Sequence, residues 1–431
     1  MKKLVPTVVA LLALPSFAIA QDSAVKNVQI SGWGFVRHES KKDADYNSDT
    51  KDKTEFTSTR LNVNLKSDLS DNYGYVFFSP QFSKISGQDE FVPSGAAANT
   101  STSTSGGLSD SRLDVHEAYF AVKPTQDDNL FVFVGRQELA YGDHLIMGSV
   151  PWHRIGRSFD GAKVRYKLSD SFSLDAFGAK LQENTPTSPA ANTAGQDTNL
   201  AGAYVSGSFG DSVKAADFYI LNRDNKSGTT GFRDTTAYGV RFKSPVANTA
   251  IDYRFEGTLE HVRLAGNTGS ENGEYQMDAE VGYTFNYLTS RFAFEYFDST
   301  KNYDQLFPTA HKFLGYADQF SRRNIKGYVA HFSTKPYDKV SFLADYHIFQ
   351  RHSKKDAAYN FAGNAIVTPG TTGNSSDIGN ELDLTLAYDF TKTLQVSAGY
   401  AIVNPGEYIE DQNSDKKDAT NWAYLQLLAR F

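Results

Sequence analysis

Trp422-Ala-Tyr-Leu-Gln-Leu-Leu-Ala-Arg-Phe431 alternates in steps of two. Ala423, Leu425, Leu427, Ala429 and Phe431 make an apolar side, while Trp422, Tyr424, Gln426 and Arg430 make a mixed one, with Leu428 as the exception. Successive side chains of a strand point to opposite faces, so the pattern suits a strand with lipid on one side and water on the other. The opposite end agrees. Lys2 and Lys3 precede an apolar stretch from Leu4 to Phe17, interrupted by Pro6 and Pro15, and Ala18-Ile19-Ala20 fits a small-x-small cleavage pattern. Residues 1–20 are therefore expected to be an export signal, and residues 21–431 one barrel. The apolar stretch is shorter than the roughly 20 residues that a spanning helix needs. With no Cys in the chain, a lipid-anchored amino terminus and a disulfide framework are both excluded.

The same alternation recurs in segments of roughly ten residues, the length of a tilted spanning strand. Thr59, Leu61, Val63 and Leu65 oppose Arg60, Asn62, Asn64 and Lys66. Leu382, Leu384, Leu386, Tyr388 and Phe390 oppose Glu381, Asp383, Thr385 and Asp389, and Glu274 to Phe285 repeats the pattern. Short connections, such as Ser67 to Asn72, Pro124 to Asn129 and Thr391 to Thr393, alternate with long ones rich in Ser, Thr, Asn, Asp and Gly. Short periplasmic turns and long extracellular loops give about 18 antiparallel strands, an even number. In hydrocarbon every backbone donor and acceptor must be paired, so the expected fold is an all-β transmembrane antiparallel barrel. At that strand number an aqueous lumen follows. A secreted sandwich or propeller has no need of turn lengths sorted by side.

Alternation also assigns charges to the lumen wall. Arg37, Arg60, Lys66, Arg112, Arg136, Lys163, Arg165 and Lys167 fall on early strands, opposed by Asp114 and Glu138, with Arg241 and Lys243 further on. Asp252, Glu256, Glu260, Glu274, Asp278, Glu280, Glu295, Asp345, Glu381, Asp383 and Asp389 fall on later strands, offset by Arg254 and Arg291. A basic arc facing an acidic one sets a field across the pore, and Arg offers a planar fork to carboxylates. Charges that only wet the lumen and pair across strands are the plainer alternative. The aromatic residues Phe77, Phe78, Tyr283, Phe292 and Tyr388 suit interface girdles in contact with lipid.

Other classes find less support. A net charge of −7 argues against nucleic acid as partner. None of the nine His sits in a Ser/His arrangement, so no enzyme is expected, and His116 and His347 read as pore-lining polar groups. No cofactor is expected. Loop acids Glu410, Asp411, Asp415 and Asp418 would suit calcium, though solvated loop charge explains them as well. Ser86 to Ser111 or Ser353 to Gly379 could fold inward to narrow the channel.

Gly135-Arg-Gln-Glu-Leu139, then Tyr141-Gly-Asp143, Trp152 and Gly156-Arg-Ser-Phe-Asp-Gly161, resembles the signature region of the alginate export family. Phe313 to Phe320, Gly379 to Asp383 and Asn404 to Ile409 resemble it too. His144 stands where a basic residue would be expected. The resemblance implies an outer-membrane barrel with an electropositive constriction that passes an anionic uronic-acid polysaccharide. Partners would then be a saccharide or small anionic solute, outer-membrane lipid and, for export, periplasmic machinery. Arg136 sits in the family's strand motif, with Arg157 and Asp160 where the next strand begins; the stretches around Asp318 and Gly406 are expected to shape extracellular loops. The candidate pore-lining set is Arg60, Arg112, Arg136, Glu138, Arg157, Lys163, Arg165 and Arg241. The rival reading is a general uptake porin for small solutes.

Overall fold

The computed structural model describes residues 25–50, 52–87, 110–125, 128–182, 198–225, 232–264, 270–366, 375–411 and 416–431. The expected signal over residues 1–20 and Asp415 lie outside them. So does most of Ser86 to Ser111 and the centre of Ser353 to Gly379.

Eighteen strands, from β1 (Val25–Lys42) to β18 (Thr420–Arg430), form one sheet. Every neighbouring pair is antiparallel, and β1 pairs with both β2 (Thr54–Leu69) and β18. The ring is closed, as the strand count requires. The short connections read from the sequence, Ser67 to Asn72, Pro124 to Asn129 and Thr391 to Thr393 among them, join strands that pair with each other. The seam runs from Trp33 opposite Arg430 to Lys42 opposite Asn421. Beyond it, Gly32 and Phe431 exchange backbone hydrogen bonds of 2.8 and 2.9 Å. The Phe431 ring lies where a side chain at position 32 would stand, which only glycine allows.

Face assignments follow the alternation in the clearest strands. Ser58, Arg60 and Asn62 are buried in the lumen while Leu61 faces out. On β18, Trp422 and Tyr424 are buried and Leu425, Leu427 and Phe431 are exposed to the lipid side. Phe78, Tyr283, Phe292 and Tyr388 also face out, as girdle residues should. Phe77 does not: it stacks on Tyr119 at 5.2 Å, beside Phe133, inside the ring.

One turn departs from good chemistry. Leu288 and Thr289, between β12 (Ser270–Phe285) and β13 (Ser290–Ser299), hold φ of 52° and 47°. The left-handed region costs a side-chain-bearing residue about 1–2 kcal/mol, and hairpins with two such residues favour Asn-Gly. Replacing Leu288-Thr289 by Asn-Gly is expected to stabilise the barrel by about 1 kcal/mol. The check is the urea midpoint of the folded band on unheated gels.

Candidate functional site

Two long connections leave the wall and enter the lumen. The first, residues 138–158, joins β5 (Leu130–Gln137) to β6 (Phe159–Lys167); the second, residues 300–324, joins β13 to β14 (Ile325–Tyr337). Their composition explains the direction. The first buries Leu139, Leu145, Ile146 and Met147, and the second buries Tyr303, Phe313, Leu314 and Phe320. Side chains this apolar lose more by facing water than by packing inside the ring.

The two loops start from nearly opposite sides of the ring and meet. Gly148 N donates to Phe307 O at 2.8 Å, Phe307 N to Ile146 O at 3.0 Å, and Thr309 N to His144 O at 2.9 Å. Met147 and Phe307 form a short parallel bridge. Arg157 rivets the junction: its Nη1 donates to Gly148 O and Pro308 O, both at 3.0 Å, and to Phe307 O. Held among carbonyls and away from water, the guanidinium has its pKa lowered to about 10 by burial and stays charged at neutral pH. The pair of loops makes a septum across the lumen.

Much of the wall's charge anchors this septum. Asp304 N donates to Glu260, Asn302 N to Glu274, Tyr316 N to Asp383 and Ala317 N to Glu381, at 2.8 to 3.2 Å. Fully buried Arg322 reaches Asp278 at 2.9 Å, and Arg254 binds Asp278 at 2.7 Å and Glu295 at 2.5 Å. The acidic arc is thus occupied by loop N–H groups and by two arginines. Glu280, Glu295 and His331 bring ligand atoms within 4.8 Å of one another, enough to hold a cation. Arg254 and Arg291 already neutralise those carboxylates.

The basic side anchors the first loop. Arg37 donates to Trp152 O at 2.8 Å with its guanidinium 3.7 Å above the Trp152 ring. Arg60, over Trp33, donates to His153 O at 3.1 Å. Between the two loops and β1 a cavity of about 70 Å³ remains, lined by Arg37, Lys41, Trp152, Arg154, Tyr316, Trp422 and the acids Asp318 and Glu39, the last bound to Arg37 at 2.7 Å. His311 stacks on Trp152 at 4.5 Å and binds Asp318 at 3.0 Å.

On the far side of the septum, Tyr141 of the loop stacks on Phe177 and on Tyr204, which stacks on Tyr219, with centroids 4.3 to 5.7 Å apart. Arg165 forks onto Asp175 with two bonds of 2.7 Å, and Lys163 lies 3.9 Å from the same carboxylate. Arg241 binds Asp217 of the wall at 2.8 Å and Asp143 of the loop at 2.8 Å. Burial alone would raise the Asp143 pKa, but Arg241, Lys243 and Lys312 outweigh it and bring it down to about 2. Lys312 and His144 are both lowered, chiefly by burial among these cations and the septum.

A pH dependence follows with its sign. A carboxylate whose folded pKa lies below its ordinary value stabilises the fold fully above that ordinary value, and the contribution fades as pH falls toward about 2. The Asp143–Arg241 tie should therefore survive mild acid. Single-channel conductance, titrated between about pH 6 and pH 4, is expected to show no step from this group.

The predicted set is thus divided. Lys163, Arg165 and Arg241 share the wall behind the tyrosine ladder, and Arg60 supports the other face of the first loop. Arg157 lies inside the septum. Glu138, at the root of the first loop, pairs with His116 at 2.8 Å. Arg112 shares lumen parity with buried His116, opposite the outward Leu113. Arg136 is a correction: it shares the outward face with Val134, and bonds outward Asp160 at 2.7 Å. The run Leu130-Phe-Val-Phe-Val134 is apolar on both faces, and Phe131 and Phe133 are the residues that turn inward beneath Lys123, Lys163 and Arg165. Phe313 to Phe320 is another correction, since it lies within the lumen against β1 and β16 (Asp377–Thr391) rather than on an outer loop. Lys41, Arg154 and Lys312 were not singled out; Arg37 was placed on the lumen wall, and Asp143 and Trp152 in the family's signature region, without a role in the septum. The available signal was the apolar content of residues 138–158 and 300–324, out of place in loops that face water.

The alginate export family profile matches residues 36–422. No curated protein matches the chain in sequence. Among solved structures, Acinetobacter baumannii OccAB1 is 13% identical, with a TM-score of 0.64 over 96% of this chain and 98% of that one. Pseudomonas aeruginosa OccK5 (OpdH) is 10% identical, with a TM-score of 0.63 over 94% and 98%. Pseudomonas aeruginosa OccK2 (OpdF), solved in complex with glucuronate, is 11% identical, with a TM-score of 0.58 over 95% and 100%. At these identities the structures speak for the 18-stranded porin fold, and the profile for ancestry. Matched over nearly its whole length, the chain belongs to the alginate export family.

Proposed function

We propose that the protein is an outer-membrane channel through which small anionic or hydroxylated saccharides, uronates among them, pass by diffusion. The observation that carries this reading is the septum and the cavity it leaves. A space of about 70 Å³ holds roughly five waters on the scale of 10–15 Å³ each, the size of a small solute and far from that of an open polymer conduit. Its lining sets three cations, Arg37, Lys41 and Arg154, against two acids, Glu39 and Asp318, beside the rings of Trp152, Tyr316 and Trp422. Cations attract a carboxylate, and indole faces pack against the C–H faces of a sugar ring. The family's name and the glucuronate bound to OccK2 both point to acidic sugars. Export of a polymer would require periplasmic partners and a withdrawn septum. The signal read over residues 1–20 would deliver the chain to the outer membrane.

A second reading, a general porin for small solutes, is favoured by the pairing of so many lumen charges with each other. The two separate in a planar bilayer. Under a salt gradient with added oligouronates, the first reading expects anion preference and block. Arg37→Ala with Arg154→Ala should weaken both while the barrel remains heat-modifiable. Weak or cationic selectivity without block would put the general porin ahead.

A further inference from the structure

The septum carries a carboxylate into a cluster of cations. Asp143 Oδ2 accepts from Arg241 Nε at 3.1 Å and Nη2 at 2.8 Å, Oδ1 lies 3.3 Å from Lys243 Nζ, and Lys312 Nζ donates to the Asp143 carbonyl at 3.1 Å. Two N–H groups of one guanidinium converge on the single oxygen Oδ2, a charge-assisted contact open equally to the carboxylate of a bound acid. Asp175 and Asp217 differ from it. Those wall carboxylates receive tyrosine hydroxyls from Tyr141 and Tyr204 as well as arginine, and they cannot leave without breaking a strand. Asp143 arrives on a loop.

The tip is shaped for that insertion. Gly142 holds φ of +58°, and a Cβ there would stand 3.0 Å from both Arg241 Cδ and Tyr204 Oη. A larger residue would be strained and would press on Arg241 itself. Lys243 keeps about half of its side chain in solvent, so the cluster is open to the lumen on one side. His144, next in sequence, carries one of the backbone bonds that hold the two loops together.

We propose that Arg241, Lys243 and Lys312 form a carboxylate-binding site inside the channel, filled by Asp143 at rest and taken over by the carboxylate of an acidic solute. The inference rests on the reading of the protein as a channel for anionic solutes and adds a place and an occupant to it. Exchange of one carboxylate for another conserves charge in the site and frees the loop tip. An acidic solute held there in place of the tip obstructs the ion current while it stays. Neutral sugars do not.

The test uses gluconate, with sorbitol as its uncharged counterpart, on the purified full-length channel in planar bilayers. Asp143→Asn is expected to lower the half-blocking concentration of gluconate roughly tenfold, leaving sorbitol unchanged. Adding Arg241→Gln should abolish that gain. If this double variant fails to yield a heat-modifiable barrel, Lys243→Gln on the Asp143→Asn background replaces it and should remove part of the gain. Unchanged gluconate block in Asp143→Asn would overturn the site. So would a gain that persists in the double variants, because removing one negative charge would then act at long range. A wild-type channel without anion preference would instead sink the parent reading, and gluconate block in Asp143→Asn would still report on the site.

Discussion

Replacing Arg157 by alanine is expected to raise single-channel conductance several-fold and to add slow open–closed transitions. Three carbonyl oxygens, of Gly148, Phe307 and Pro308, accept from this one side chain, and they lie on both inward loops. Hydrogen bonds to a charged group contribute about 1.5–3 kcal/mol each, and the buried carbonyls gain no equivalent partner on truncation. What remains across the junction is a short ladder of backbone bonds and the Met147–Phe307 bridge. The wall keeps all of its strand pairings, so the barrel should still migrate as a folded species when unheated. Arg157→Lys is the informative companion, because it keeps the charge but its ammonium ends a shorter stem than the one that carries Nη1 to the three carbonyls, and it should recover only part of the closure. Wild-type conductance in Arg157→Ala would mean that the septum does not limit the current.

Arg322→Ala should have the larger effect on stability. Arg322 and Asp278 are both fully buried, 2.9 Å apart, and Arg254 shares the same carboxylate from the wall. Removing one partner of a buried pair costs about 3–5 kcal/mol, since the other charge is left in a dry setting. Here Arg254 partly compensates Asp278, which puts the expected loss at the lower end of that range. The second loop should detach where it returns to β14, and limited proteolysis of the variant should cut within residues 300–324 while the strands resist. Asp278→Asn together with Arg322→Met tests the reasoning from the other side. It removes both charges, and it should restore protection that Arg322→Ala loses.

The barrel was legible because its physics is written at every second position. Leu61 against Arg60, or Leu425 against Tyr424, states which face meets lipid, and short connections such as Ser67 to Asn72 state where the chain reverses. Alternation fails where both faces are apolar, which is why Arg136 was assigned inward when Phe131 and Phe133 hold that position. It also says nothing about loops. Arg136 aside, the use of the two charged arcs was hidden, because Glu381, Asp383 and Arg37 bind backbone groups of segments 64 to 115 residues distant in sequence. The identity of a hydrogen-bond partner on a distant loop leaves no period to count. Phe307, Phe313 and Phe320 were the visible clue that residues 300–324 do not lie in water.

The seam between β1 and β18 has a kinetic consequence. Each of the other pairings joins consecutive strands, so the sheet can grow by adding one hairpin after another. Pairing Trp33 with Arg430 instead spans nearly the whole chain, and long-range contacts of this kind are slow to form. Until it happens, both edges show unpaired backbone groups that hydrocarbon cannot solvate. Insertion therefore has a last, all-or-none step whose speed depends on how Gly32 and Phe431 meet. A bulky residue at position 32 would leave a nearly finished sheet waiting at the membrane surface, exposed to periplasmic proteases.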